Sequence, residues 1–207
     1  MPPATPRFLY FDLGKVLLDF DHRVGCRHLA SHAGVSEELV WETIFESGIE
    51  WRYERGEISS REFLERVRES IPTLPDFDTT LALISDIFVA RPDVEEILDQ
   101  LARRNHRMGV LSNTCEAHWQ HLYPNRFPFL RERFRVHALS FELRAMKPEP
   151  AIYQQALELA GVSAAETFFV DDRLENVDAA ARLGIDALQF HSAEQLADEL
   201  AARGLLA

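Results

Sequence analysis

Phe8-Leu9-Tyr10-Phe11-Asp12-Leu13-Gly14 sets four apolar side chains ahead of a lone carboxylate and a break in the chain. An unbroken apolar run of this length predicts a strand buried on both faces, as in a parallel sheet. Asp12 then falls where the strand ends. The carboxyl edge of an open α/β sheet is where such folds bind ligands, so Asp12 is the first candidate functional residue. Gly14, two positions on, bears on what Asp12 can do.

From about residue 22 to 90 the apolar spacing is helical: Leu39, Val40, Ile44 and Phe45; Phe63, Leu64, Val67 and Ile71; Leu81, Ile84, Ile87 and Phe88. Gly34, Arg55-Gly56-Glu57 and Pro72 to Asp78 punctuate it, and no strand is predicted in this block. From Pro92 onward, strands at Met108 to Leu111, Phe134 to Ser140, Thr167 to Val170 and Ile185 to Phe190 alternate with helices. An Arg-rich loop precedes the second of these strands, and Gly161 caps the helix before the third. The alternation predicts a Rossmann-like, three-layer α/β/α parallel sheet. The expected organisation is a core of residues 7–17 and 91–207, interrupted by an inserted all-helical cap of residues 18–90.

Composition narrows the function. The chain has 207 residues, 46% hydrophobic and 27% charged, with a net charge of −12. That charge opposes binding to nucleic acid or an anionic membrane, both polyanions. Arg126, Arg131, Arg133 and Arg135 read as a solvated basic face. Cys26 and Cys115 form neither a disulfide framework nor a zinc motif. Met1 to Pro6 shows no signal-peptide pattern and is expected to fray, and no apolar stretch approaches membrane-span length. A soluble cytoplasmic protein is expected; oligomeric state is not legible.

Candidate functional residues lie at the other strand ends. Ser112-Asn113-Thr114 follows the second strand, Lys147-Pro148 opens the helix after the third, and Asp171-Asp172 ends the fourth. Each has a structural alternative. Ser112 or Thr114 would cap a helix, Lys147-Pro148 would be a helix start with proline in the first turn, and Asp172 with Glu175 would be a variant capping box. Taken together, a nucleophilic carboxylate, a hydroxyl, an ammonium and an acidic pair on one sheet edge form a kit for phosphoryl transfer.

In this order and spacing, Phe11-Asp12-Leu13, Leu111-Ser112-Asn113-Thr114, Lys147-Pro148-Glu149 and Phe168-Phe169-Val170-Asp171-Asp172 with Asn176 resemble the four motifs of the haloacid dehalogenase (HAD) superfamily. The helical insertion resembles its small cap. Asp12-Leu13-Gly14, Glu54-Arg55-Gly56-Glu57-Ile58-Ser59 and Ser112-Asn113-Thr114 resemble more narrowly the bacterial α-D-glucose-1-phosphate phosphatases. The resemblance implies a magnesium-dependent phosphatase acting on a small phosphorylated metabolite, with Asp12 attacking phosphorus to form an aspartyl-phosphate. Asp12, the Gly14 carbonyl and Asp172, with Asp171 close by or through water, would hold Mg2+. Ser112, Asn113 and Lys147 would bind the phosphoryl group, and Asn176 would orient the acidic pair.

Gly14 departs from the superfamily pattern. Most of its phosphatases carry there a second aspartate that serves as general acid and base, worth ~100- to 10,000-fold. Lys15, Asp21 and His22 are candidate substitutes, and Gly14→Asp is expected to keep or raise activity. Trp51, Arg52, Tyr53 and Arg55, or His118 and Trp119, are candidate substrate contacts, with packing as their alternative. His28 and His32 have zinc-compatible spacing without a third ligand. Two further readings stand: a degenerate relative that binds a phosphorylated ligand or a protein partner, and a haloacid dehalogenase. Asp171-Asp172 opposes the second, since a metal-free dehalogenase has no need of the acidic pair.

Overall fold

In a computed structural model, which describes residues 6–123 and 126–206, the opening run is strand β1 (Phe8–Phe11), buried throughout. Its pleat sends alternate side chains to opposite faces. Leu9 and Phe11 enter one apolar core, while Phe8 and Tyr10 enter another. Residues 1–5, within the segment expected to fray, lie outside the described residues.

The chain continues through β2 (Leu18–Phe20), α1 (His22–Ala33) and α2 (Glu37–Trp41), which a π-helical turn prolongs over Glu42–Glu46. It then forms α3 (Ile49–Glu54), α4 (Ser60–Ser70), α5 (Phe77–Ser85) and β3 (Phe88–Ala90). The alternating part comprises α6 (Pro92–Arg103), β4 (Arg107–Ser112), α7 (Glu116–Leu122), α8 (Pro128–Arg133), β5 (Phe134–Leu139) and α9 (Ser140–Leu143). It closes with α10 (Pro150–Ala160), β6 (Thr167–Asp171), α11 (Leu174–Arg182), β7 (Asp186–Gln189) and α12 (Ala193–Ala202).

Five strands make one parallel sheet in the order β5-β4-β1-β6-β7, flanked by helices on both faces. Val94, Ile97, Leu98 and Leu101 of α6, with Leu196 and Leu200 of α12, cover the Leu9 side. Ile152, Tyr153 and Ala156 of α10, with Ala179 and Ala180 of α11, cover the Tyr10 side. This is the expected three-layer α/β/α fold. In the central register Phe11 lies level with Val110 on β4 and Val170 on β6. One residue further on, the carboxyl edge therefore receives Asp12 and Asp171 side by side, with Ser112 two residues beyond Val110 at the end of β4.

Two local expectations are corrected. Residues 88–90 form a strand, not the end of a helix: β3 pairs antiparallel with β2, Phe20 opposite Phe88. Three residues carry too little periodicity to announce a strand, and the pairing partner lies far away in sequence. The Arg-rich segment contains α8 rather than only loop, with Pro128 in its first turn and Phe129 and Leu130 buried. Its arginines are not simply solvated: Arg126 meets Asp86 at 2.5 Å, and Arg133 meets Glu95 and Asp99 at 3.3 and 2.6 Å.

Helices α1 to α5 lie between the two ribbon strands and have an apolar core of their own, including Leu29, Val40, Phe63, Leu64 and Val67. Cys115 and Ala117, at the start of α7, belong to this second core. That seats the helical block over the carboxyl edge of the sheet. Both cysteines are free and buried. Among the described residues, no helix is long and apolar enough to cross a membrane.

Candidate active site

The ammonium of Lys147 lies 2.8 Å from Oδ1 of Asp12 and 2.6 Å from Oδ2 of Asp171. It is buried, and so are both carboxylates. Such a cation is tolerated away from water because two anions face it. Burial by itself would lower the Lys147 pKa, but Asp12 and Asp171 together hold it above the usual lysine range. Burial has the opposite effect on Asp12, pushing its carboxyl up to about 7, with Lys147 opposing the rise and Asp171 and Asp172 adding to it.

Asp171 is saturated with donors. Asn176 Nδ2 donates to its two oxygens at 2.9 and 3.1 Å, the Arg173 amide donates at 2.9 Å, and Lys147 donates at 2.6 Å. Asp172 is only half-buried; burial and the neighbouring Asp171 raise its pKa. Asp12, Asp171 and Asp172 each offer an oxygen within 4.8 Å of the others. Hard carboxylate oxygens in such a group suit a small divalent cation. Since Asp171 is committed to its donors, Asp12 and Asp172 have the freer lone pairs.

None of the structural alternatives accounts for these side chains. Helix α7 is capped at Cys115 with no side-chain bond, so neither Ser112 nor Thr114 caps it. Pro150, not Pro148, occupies the first turn of α10. Arg173 is the N-cap of α11, and no side chain caps that end, so Asp172 and Glu175 form no capping box.

Ser112 is buried at the cleft and donates only to the Asn113 carbonyl, at 3.3 Å. Asn113, expected to bind substrate, is engaged elsewhere. Its Nδ2 donates to the Lys147 carbonyl at 3.0 Å, and its Oδ1 accepts from the Lys147 amide at 2.8 Å. Its side chain therefore fixes the backbone that carries the ammonium.

Gly14 lines the same cleft, and a side chain there would displace the Phe20 ring: a Cβ would stand 2.6 Å from Cε1 of Phe20. The expectation that Gly14→Asp keeps or raises activity therefore requires the Phe20 ring, on β2, to move. Two of the candidate substitutes are committed elsewhere. Lys15 pairs with Asp19 and donates to the Phe20 carbonyl at 2.7 Å. Asp21 caps α1, accepting from the Arg23 amide at 2.9 Å. His22 does line the cleft, but burial lowers its pKa to about 4, so the ring is neutral near pH 7.

The cleft encloses about 550 Å³ beneath the helical block. Trp51 stands on its rim, 48% exposed. Tyr53 is a packing residue, its hydroxyl accepting from the Ala117 amide at 2.9 Å. Arg52 pairs with Glu57, and Arg55 reaches Glu149, just after Lys147-Pro148, through two hydrogen bonds, one of 3.0 Å. His118 and Trp119 are buried. His32 Nδ1 sits 2.9 Å from the His28 carbonyl, one helical turn back.

Sequence reasoning missed Glu50 and gave Glu54, quoted only as the start of a motif, no role; one turn apart on α3, the two line the cleft with Asp12. Burial, then Glu50, raises the pKa of Glu54 well above the usual range. The available signal was two acids at i and i+4 bracketing the singled-out Trp51 to Tyr53.

Comparison with known proteins matches this arrangement. The HAD family enzyme bt-2542 from Bacteroides thetaiotaomicron has a TM-score of 0.81 at 28% identity, covering 94% of this chain and 98% of that one. A structure of that enzyme in complex with magnesium and inorganic phosphate gives a TM-score of 0.77 at 28% identity, over 90% of this chain and 94% of the other. Acyl-CoA dehydrogenase family member 10 of Mus musculus is 26% identical over 165 residues, 76% of this chain and 15% of that protein. Flavin mononucleotide hydrolase 1 of Arabidopsis thaliana is 26% identical over 118 residues, 54% of this chain and 44% of that protein. The alignments thus take in less than half the length of each of these curated relatives. The family model for haloacid dehalogenase-like hydrolases matches residues 10–184, from β1 to the turn after α11. On that match the chain belongs to the haloacid dehalogenase-like hydrolases.

Proposed function

We propose that this hydrolase is a magnesium-dependent phosphatase that cleaves a small phosphomonoester through an aspartyl-phosphate on Asp12. The observation that carries the reading is the Lys147 ammonium between Asp12 and Asp171, with Asp172 beside them at the sheet edge. The magnesium and phosphate held by bt-2542 at 28% identity support it.

Asp12 and Asp172 are the side chains that would hold the cation, with the Gly14 carbonyl beside them and Asp171 behind. When bound, the cation supplies the positive charge that lets an anionic nucleophile meet an anionic phosphate. The protein's own groups do the rest. Lys147 neutralises charge shared by Asp12 and the phosphoryl oxygens, and Ser112 donates to one of them. Asn176 and the Arg173 amide hold Asp171, which in turn holds Lys147. The helical block acts as a cap that excludes water from the cleft.

For the leaving group we propose a sugar. The exposed indole of Trp51 offers a sugar ring a stacking face on the cleft rim. The test is release of inorganic phosphate, with and without magnesium, from p-nitrophenyl phosphate, a panel of sugar phosphates and flavin mononucleotide. Magnesium-dependent release that vanishes in Asp12→Asn is expected. Full activity in Asp12→Asn refutes the mechanism, and preference for the flavin substrate refutes the sugar assignment.

A further inference from the structure

A phosphatase lacking a proton carrier at position 14 needs one elsewhere in the cleft, and the fold brings a carboxyl there from the helical block. Glu54 ends α3, and its side chain lines the cleft together with Gly14, Ser112 and Asn113. The end of α3 is tied to the sheet edge at that residue. Ser140 Oγ donates to the Glu54 carbonyl at 2.6 Å and accepts from the Thr114 amide at 2.9 Å. The flanking residues are tied as well, Tyr53 to the Ala117 amide and Arg55 to Glu149. Glu50, one turn back on α3, lines the cleft beside it and raises the Glu54 pKa. These bonds anchor the backbone of Glu54 at the cleft that Asp12 also lines, which places its carboxyl for proton transfer there.

We propose that Glu54 is the general acid and base of this enzyme, replacing from the helical block the carboxylate that position 14 lacks. The assignment rests on the phosphatase reading. In the first half-reaction an Asp12 oxygen bonds to phosphorus, the bond from phosphorus to the ester oxygen breaks, and that oxygen takes the Glu54 proton to leave as an alcohol. In the second, the Glu54 carboxylate takes a proton from water, and the water oxygen bonds to phosphorus. The bond from phosphorus to Asp12 breaks, leaving inorganic phosphate, a free Asp12 carboxylate and a protonated Glu54. Burial and the adjacent Glu50 favour the protonated form with which this cycle starts. The other groups around Glu54 are Asp12, Lys147, Cys115, His22 and His118. The two histidines have their pKa values lowered by burial, to about 4 and about 3, which leaves them poor proton donors.

A leaving group that needs no proton separates this role from a structural one. The first half-reaction is followed in single turnover for wild type and Glu54→Gln, an isostere, with p-nitrophenyl phosphate and with an alkyl phosphate such as glycerol 3-phosphate. Glu54→Gln is expected to slow phosphoryl transfer from the alkyl ester by ~100-fold or more, while the nitrophenyl ester loses no more than about threefold. The retained nitrophenyl reaction also shows that the variant is folded. Equal losses on both esters, or unchanged rates on both, overturn the assignment. A leaving-group-dependent loss in His22→Gln but not in Glu54→Gln overturns it as well. Wild-type protein that releases no phosphate from either ester refutes the phosphatase reading itself, and this assignment with it.

Discussion

Lys147 and Asp12 form an ion pair at 2.8 Å with only 1% of the lysine side chain and 11% of the aspartate side chain exposed. Removing the ammonium leaves Asp12 and Asp171 as uncompensated buried carboxylates. Lys147→Met is expected to lose roughly 100- to 1,000-fold in phosphate release and about 3–5 kcal/mol of stability. Magnesium should raise the melting temperature of this variant more than that of wild type, because the cation replaces part of the missing charge. Thermal melts with and without magnesium check this.

The raised pKa of Asp12, about 7, predicts competition between protons and metal. Below that value the metal-free site holds a proton that the cation must displace. Magnesium affinity is therefore expected to rise with pH, by up to about tenfold per unit below 7, and to level off above it. The same shift sets a sign for stability. In the metal-free protein this group's contribution is fully present below its unfolded pKa of 3.8 and is lost as pH rises through about 7. Calorimetric titration across pH 5 to 8 tests the first statement, and the difference in urea stability between wild type and Asp12→Asn tests the second.

The ring of Phe20 predicts the outcome at Gly14. Gly14→Asp forces a side chain into a space where Cε1 of Phe20 lies 2.6 Å from the new Cβ. Overpacking of this kind costs about 1–3 kcal/mol, and both stability and activity are expected to fall. Adding Phe20→Ala should recover part of the Gly14→Asp loss, a non-additivity that denaturant melts of the double variant reveal.

Asn113 predicts a loss of rate without a loss of substrate contact. Asn113→Ala removes both bonds to the Lys147 backbone. Misplacing the ammonium by an ångström is expected to cost on the order of 100-fold in kcat, with KM changing far less. Steady-state kinetics on any cleaved ester separates the two.

Arg55 and Glu149 join the helical block to the segment after Lys147. The pair is partly exposed, so its coupling in a double-mutant cycle is expected to be about 1 kcal/mol or less. Arg55→Ala should loosen the cap and raise KM more than it lowers stability, which kinetics and thermal melts together measure.

Much of the sheet was legible because each strand announces itself locally. Phe8 to Phe11 is a run of consecutive apolar residues, and Asp12, Ser112 and Asp171 follow or end such runs, so periodicity alone places them at one edge. Lys147 was legible from its motif. Strand β3 was not, because Phe88, Val89 and Ala90 become a strand only by pairing with Leu18 to Phe20. The role of Asn113 was also hidden, since its partner is a backbone reached through β5 and α9.

The order of apolar runs, the acids that end them and the glycine at position 14 are properties of neighbouring residues, and they determined the fold class and the placement of Asp12 at the sheet edge. What fills the space beside Gly14, and which carboxyls line the cleft near it, was decided only when separate segments packed together. Phe20 arrives on the ribbon and Glu54 at the end of α3, which Ser140 ties to the sheet edge. Their positions depend on how the core of the helical block seats against α7. Apolar periodicity marks which face of a segment is buried but not which distant segment covers it.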